Sequence, residues 1–230
     1  MSKLIIVPTP IGNLEDVTYR SIKVLQEASL ILAEDTRQTN KLLKHYNINN
    51  QLKSYHQYNE HQLTQQLVQD LTSMNLMYAL VSDAGMPGIS DPAYLLVSAC
   101  LQAHVAVESL PGPTAFLPAL IKSGLPMERF TFEGFLPHKK GRQKRLENLK
   151  EEDKTMIFYE SPYRLLKTIQ QFCDTFGPGR KGSVSKELTK IYEQTWNGSL
   201  EDLKEQLTNQ KIKGEFVIIV EGKKQKASKA

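Results

Sequence analysis

Short apolar runs alternate with longer segments of helical periodicity along most of this 230-residue chain, and that alternation is the pattern of βα units. In the first half the runs occupy residues 4–7, 30–33, 76–81 and 105–110. Each is bounded by turn-forming residues and is too short for an ordinary helix. Between the first two, Val17, Ser21, Val24, Leu25 and Ala28 recur at the spacing of one helical face. Strands joined through helices return to the same end of the sheet, so a mostly parallel sheet is expected.

The second half repeats the style, with strand candidates at residues 131–135, 155–159, 183–185 and 216–220. Its last helix is well marked: Ser199 stands at the cap, Asp202 three positions on, and Leu200, Leu203 and Leu207 form the stripe. The stretch PGPTAFLP, residues 111–118, separates the halves. Two α/β lobes are expected, residues 1–113 and 114–222, followed by a lysine-rich tail, residues 223–230, expected to be disordered. That tail holds Lys223, Lys224, Lys226 and Lys229, which account for the whole formal charge of +4, so the body before it is formally neutral. Only local basic clusters can then argue for a polyanionic partner. Cys100 and Cys173 have neither CxxC spacing nor nearby histidines, which argues against a disulfide framework or a zinc site. No apolar run approaches the ~20 residues of a membrane span, and the four-residue run near the N-terminus is too short for a signal-peptide core. A cytoplasmic protein with no membrane association is expected.

In open parallel sheets, ligands collect beyond the carboxyl ends of the strands. Four loops stand there: PTPIGN after Val7, EDTR after Ala33, SDAGMPGISDP after Val81 and PGPTA after Leu110. Glycine and proline beside small side chains let a ligand approach the backbone. The fingerprints of other chemistries are missing. Gly12 stands alone where a dinucleotide site needs GxGxxG, GPGRKGS lacks the Lys-Ser of a phosphate loop, and neither GxSxG nor HExxH occurs. Asp83 can position ribose hydroxyls or a cationic group, or it can simply cap its loop. Glu34, Asp35 and Arg37 can form a substrate constellation or cap the following helix. His56, Glu60 and His61 in YHQYNEH lack metal-ligand spacing, so no metal is expected, and the segment reads as a substrate-contacting loop or an inert surface loop. The run PHKKGRQKR places Lys139, Lys140, Arg142, Lys144 and Arg145 inside seven residues, a candidate phosphate contact.

Taken in order, VPTPIGNLED, AEDTR, SDAGMPGISDP, SLPGPTA, FYESPYR, SKELTKIYE and GEFVIIVEG resemble the motif set of the ribosomal RNA small subunit methyltransferase I family, over residues 7–222. The resemblance implies the tetrapyrrole methylase-like (class III methyltransferase) fold, with S-adenosylmethionine in a cleft between two α/β lobes. It implies transfer of methyl to the ribose 2'-hydroxyl of a cytidine in the decoding region of 16S rRNA, a homodimer, and free rRNA or the small ribosomal subunit as partner. Cofactor contacts carry over to Ile11, Asp83, Gly85, Met86, Thr114 and Ala115 in the first three glycine-bearing loops, and to Tyr159, Leu188 and Gly214 further on. Tetrapyrrole methylases usually have Gly-Asp-Pro after the third strand. Ser82, Asp83 and Ala84 stand here, which fits the ribosomal family.

The cofactor brings an activated methyl and a neutral leaving group, so the protein must mainly orient the attack and remove a proton. Glu34, Asp35, Lys186 and Glu187 are the candidates for that base, with Arg37 orienting ribose or phosphate. The target nucleotide is expected to be splayed from its neighbours, with Tyr55, His56 and Tyr58 placed to stack on it. Two other readings remain open at this point: a small-molecule methyltransferase acting on a tetrapyrrole, and a noncatalytic RNA-binding module that would bind no cofactor.

Overall fold

A computed structural model describes residues 2–224 and divides the chain into two compact units, one ending at Thr114 and one beginning at Ala115. The first unit is a five-stranded sheet: β1 (Lys3–Ile6), β2 (Leu30–Ala33), β3 (Leu52–Ser54), β4 (Met77–Val81) and β5 (Ala106–Ser109), in spatial order β3-β2-β4-β1-β5. Every pairing is parallel. Side chains alternate across the sheet, and both faces are covered. Ile5, Val7 and Ile31 face a core closed by α1 (Tyr19–Glu27) and α2 (Thr36–His45), whereas Leu4, Ile6 and Leu32 face one closed by α3 (Glu60–Ser73) and α4 (Tyr94–Gln102). Two-sided burial is why these strands read as unbroken apolar runs rather than alternating ones. The helical face expected before β2 is present, with Ser21, Val24 and Leu25 buried and the Thr18 side chain accepting the Ser21 N–H.

The second unit departs from the expected repetition of style. Its strands are β6 (Phe130–Phe135), β7 (Thr155–Glu160), β8 (Lys181–Lys186), β9 (Gln194–Ser199) and β10 (Phe216–Val220), in order β6-β7-β10-β8-β9. Only β6 and β7 pair in parallel, and the other three pairings are antiparallel. No helix separates β8 from β9, and a direct connection of that kind returns the chain antiparallel. Its helices are α5 (Phe116–Ser123), α6 (Arg142–Leu149), α7 (Leu165–Phe176) and α8 (Leu200–Thr208). The capping box of α8 is formed as the sequence predicts: the Ser199 hydroxyl accepts the Asp202 N–H, and the Asp202 carboxylate accepts the Ser199 N–H. Of the residues expected to form the tail, Lys223 is bonded to the second unit. The Lys223 N–H donates to the Glu152 carbonyl at 2.6 Å and its ammonium pairs with Glu151, while residues 225–230 of that tail lie outside the described residues.

A buried carboxylate organises one end of this unit. Glu160, at the end of β7, is 2% exposed. Its Oε1 meets Arg164 Nη2 at 2.7 Å and the Ser161 N–H at 2.7 Å, and its Oε2 accepts the Thr168 hydroxyl at 2.7 Å beside Arg142 Nη2 at 3.6 Å. Arg142 is itself 7% exposed and donates to Gln171, Thr168 and the Pro137 carbonyl. The phosphate contact expected of Arg142 is therefore corrected: its guanidinium is spent on internal acceptors. Removing the carboxylate with Glu160→Ala leaves two arginines enclosed without their counter-charge. The expected loss is ~3–5 kcal/mol of second-unit stability, read as a lower urea midpoint, and a loss below ~1 kcal/mol would show that the network carries little.

Candidate functional site

Because the first sheet is entirely parallel, the loops after β1, β2, β4 and β5 all emerge at one edge, and hydrogen bonds tie them together there. Thr9 and Gly85 form an isolated antiparallel bridge, each N–H donating to the other's carbonyl at 2.9 Å. The Thr9 hydroxyl adds a bond to the Ser82 carbonyl at 3.2 Å. Gly85 has φ +80°, a conformation that L side chains rarely adopt. A Cβ there would lie 3.3 Å from Ile11 Cγ2 and 3.7 Å from the Pro113 carbonyl oxygen. Three of the loops thus meet around a backbone that carries no side chain. Met86 follows, its sulfur 3.9 Å from the Ser109 hydroxyl. Thr114 closes this unit, and Ala115 opens the second at the start of α5.

The carboxylates at this edge are differentiated by their surroundings. The Asp35 N–H donates to Asp83 Oδ1 at 3.0 Å, joining the loops after β2 and β4. Asp35 also accepts the Arg37 N–H at 2.8 Å, which caps α2, and grips the Arg37 guanidinium at 2.6 to 3.1 Å. Asp35 therefore caps the helix, one of the two alternatives expected of it, and holds an ion pair with Arg37 as well. The side-chain and backbone bonds from Arg37 hold the Asp35 pKa down at about 2. Glu34 behaves oppositely: burial and then the Asp83 charge raise its pKa, against smaller lowering by the Asp83 backbone N–H and His56. Asp83 is likewise raised, first by burial. Asp91 is raised furthest, to about 7, by burial and then by the charges of Glu34 and Asp83, with the Ser82 hydroxyl opposing.

Asp91 was not singled out in the sequence, although it lies inside SDAGMPGISDP. One signal was present there: an Asp-Pro step marks a turn, and Ser90 just before it adopts φ +75°. A left-handed serine is strained by roughly 1–3 kcal/mol, and such strain concentrates where a loop must aim a particular side chain.

The remaining candidates fall in the second unit or on other surfaces. Tyr159, next to last in β7, is half-buried, its ring edge-on to Phe132 at 5.1 Å and to Phe135 at 5.7 Å. Lys186 ends β8 and reaches the Lys211 carbonyl at 3.4 Å. Glu187 adopts φ +51°, and its carboxylate accepts the Glu215 N–H at 2.9 Å and the Lys190 ammonium at 3.0 Å. Burial pushes its pKa up, but Lys190, the Glu215 N–H and Lys186 outweigh that and hold it below the usual range. Gly214, at φ +94°, accommodates this carboxylate, since a Cβ there would lie 2.4 Å from it. Leu188 is buried next to it. Glu187 is thus a clasp between two loops, which weakens it as a base.

Among the expected RNA contacts, Lys139, Lys140 and Lys144 are exposed, Arg145 pairs with Glu133, and Arg142 is internal as described above. His56 is half-buried, its Nδ1 accepting the Tyr58 N–H at 3.3 Å. Tyr55 is corrected as a stacking residue: it is 1% exposed and its hydroxyl bonds Thr64 at 3.0 Å. No group of metal-ligating side chains, and no helix long and apolar enough to cross a membrane, occurs among the described residues.

The family model of the tetrapyrrole (corrin/porphyrin) methylases matches residues 3–204. The chain is 50% identical to a ribosomal RNA small subunit methyltransferase I of Halalkalibacterium halodurans, over 97% of this chain and 77% of that one. It is 47% identical to the protein of the same name from Synechocystis, over 96% of this chain and 80% of that one. In three dimensions it is similar to uroporphyrin-III C-methyl transferase from Thermus thermophilus, solved with S-adenyl homocysteine. That likeness has a TM-score of 0.63 and 18% identity over 94% of this chain and 96% of that one. At such identity it speaks for the fold.

The acid cluster yields a stability signature. Folding raises the Asp91 pKa from 3.8 to about 7, so the folded state binds the extra proton between those values. The contribution is fully present below about pH 4 and is lost as pH rises through 7. Asp91→Asn should remove this slope, gaining stability relative to the parent as pH rises from 4 to 7. Urea denaturation across that range measures it, and parallel curves for the two proteins would refute the assignment.

Proposed function

The chain belongs to the tetrapyrrole (corrin/porphyrin) methylase family and, within it, to the ribosomal RNA small subunit methyltransferases I, and on that premise we propose that it uses S-adenosylmethionine to methylate small-subunit rRNA at the ribose 2'-hydroxyl of a cytidine in the decoding region. What carries the reading is identity at half of the aligned positions, across nearly the whole chain, with a protein named as a small-subunit rRNA methyltransferase. The same reading makes the enzyme a cytoplasmic homodimer, located where its rRNA substrate is, with the domain division at the PGPTA loop.

The residues fit the cofactor on their own geometry. Gly85 offers bare backbone between Ile11 and the Pro113 carbonyl, a cradle that a side chain would fill. Asp83, whose Oδ1 is already oriented by the Asp35 N–H, supplies a carboxylate beside it. Ile11, Asp83, Gly85, Met86 and Thr114 of the first unit would hold S-adenosylmethionine. When bound, it supplies an activated methyl and a neutral leaving group.

The chain's own task is then to orient a ribose hydroxyl and hold its proton. Glu34 fits that task best among the candidates. Its pKa is raised by burial and by Asp83, and a carboxylate with raised pKa is the stronger base at neutral pH. Asp35, held at about 2 and committed to Arg37, is a weak base that instead aims Arg37 and Asp83. Lys186 and Glu187, bonded to neighbouring backbone and to Lys190, shape the second-unit loop. Lys139, Lys140 and Lys144 meet phosphate, and His56 with Tyr58 lies ready for a base.

Mapping ribose methylation in rRNA from cells lacking the protein should show one 2'-O-methyl mark lost, and transfer in vitro should go to RNA and not to a porphyrinoid. An unaltered map would overturn the reading. Glu34→Gln should lower kcat by about 10²-fold or more while calorimetric affinity for S-adenosylmethionine holds. Because the base must be deprotonated, the parent's rate should rise with pH through the raised Glu34 pKa, and this limb should vanish in the variant. A retained limb would move the base elsewhere.

A further inference from the structure

Two loops leave one edge of the second sheet side by side, residues 136–141 after β6 and residues 161–164 after β7, because these strands run parallel with Phe135 opposite Tyr159. They are fastened from beneath. Arg164 Nη1 donates to the Leu136 carbonyl at 3.4 Å and Arg142 Nη1 to the Pro137 carbonyl at 3.3 Å, and both guanidinium groups converge on Glu160. That carboxylate also takes the Ser161 N–H, which opens the second loop. The mount is therefore internal and charged, with Arg164 Nε buried and without a hydrogen-bond partner.

What the loops present outward differs in kind. Lys139 and Lys140 on the first loop and Lys144 in the first turn of α6 are exposed, and none enters an ion pair among the described residues. Tyr163, on the second loop, is 96% exposed and makes no ring contact among the described residues. An aromatic ring held in water by a pinned loop of four residues, next to a loop bearing free cations, offers two contacts at once. One suits a flat π-face and the other a line of negative charge. Single-stranded RNA alternates those two features, whereas a duplex hides its base faces.

We propose that this edge is a contact surface for single-stranded RNA, with Tyr163 stacking on an unpaired base and Lys139, Lys140 and Lys144 meeting the flanking phosphates. The proposal rests on the reading of RNA as substrate, and it names a residue and a strandedness that the reading does not. Arg142 and Arg164 act as positioning residues here, setting the loops without touching RNA.

The test is fluorescence anisotropy with a short labelled RNA of mixed sequence, as a single strand and as a duplex, using the full chain. Tyr163→Ala should weaken single-strand binding by about 5- to 100-fold and leave duplex binding unchanged, while Tyr163→Trp restores the single strand. Lys139→Ala with Lys140→Ala should flatten the dependence of log K on log salt by about 1.4, roughly 0.7 per phosphate contact. Thermal unfolding of the Tyr163 variants should match the parent, since the side chain lies in solvent. If Tyr163→Ala binds the single strand as the parent does while the parent still methylates rRNA, the inference falls, the methyltransferase reading stands, and the face passes to a protein partner. If the parent neither binds RNA nor transfers methyl to it, both fall.

Discussion

Parallel pairing in the first unit is the constraint from which its chemistry follows. Each strand must be re-entered from the same end, so every connection out of a strand begins at one edge and every helix lies on a face. Four loops are therefore delivered to one place before any loop residue has been chosen. The bridge between Thr9 and Gly85 and the bond from the Asp35 N–H to Asp83 then fix that arrangement. Both use backbone groups that a loop would otherwise leave to water, so the site's rigidity comes from main chain rather than from extra packing.

Against that rigid edge, four acids close in sequence or space acquire different properties. Asp35 is exposed to Arg37 and ionises with ease, while Glu34, one residue before it, is turned toward burial and other carboxylates. Asp91 goes further in the same direction, first through burial and then through the charges of Glu34 and Asp83. Neighbouring carboxylates that ionise together pay repulsion, so one of them retains a proton. The result is a division between one acid that ionises readily, Asp35, and three whose charged forms are disfavoured. It arises here without a metal-ligating group among the described residues.

Much of this was legible in the chain itself, and the failures have physical causes. Strands buried on both faces announce themselves as apolar runs, and those at residues 30–33 and 216–220 are found with their expected ends. Two of the four edge strands, LKS and QTWNGS, were not anticipated because an edge needs pairing on one side only and can be polar. The antiparallel turn of the second sheet was missed for a related reason: periodicity reports what a segment buries and is silent on which neighbour it chooses. Charge misled in the opposite way. Arg142 sits in a run of basic residues and looks like its neighbours, yet a helix sends successive side chains to different faces, and this one points at Glu160.

The backbone itself separates structural from functional strain. Five described residues other than glycine have left-handed φ, and two of them, Asn47 and His104, lie just past the ends of α2 and α4. A left-handed residue there terminates a helix, a role glycine fills elsewhere. The other three, Ser90, Glu187 and Thr189, end no helix. Ser90 precedes Asp91, and Glu187 and Thr189 bend a loop in which the Thr189 N–H donates to Glu193 and the Glu187 carboxylate accepts from Lys190 and the Glu215 N–H. Strain in those loops persists only because surrounding bonds over-determine it. In the 187–193 loop the bonds from Lys190, the Glu215 N–H and the Thr189 N–H hold two left-handed residues in a shape that the chain alone would relax.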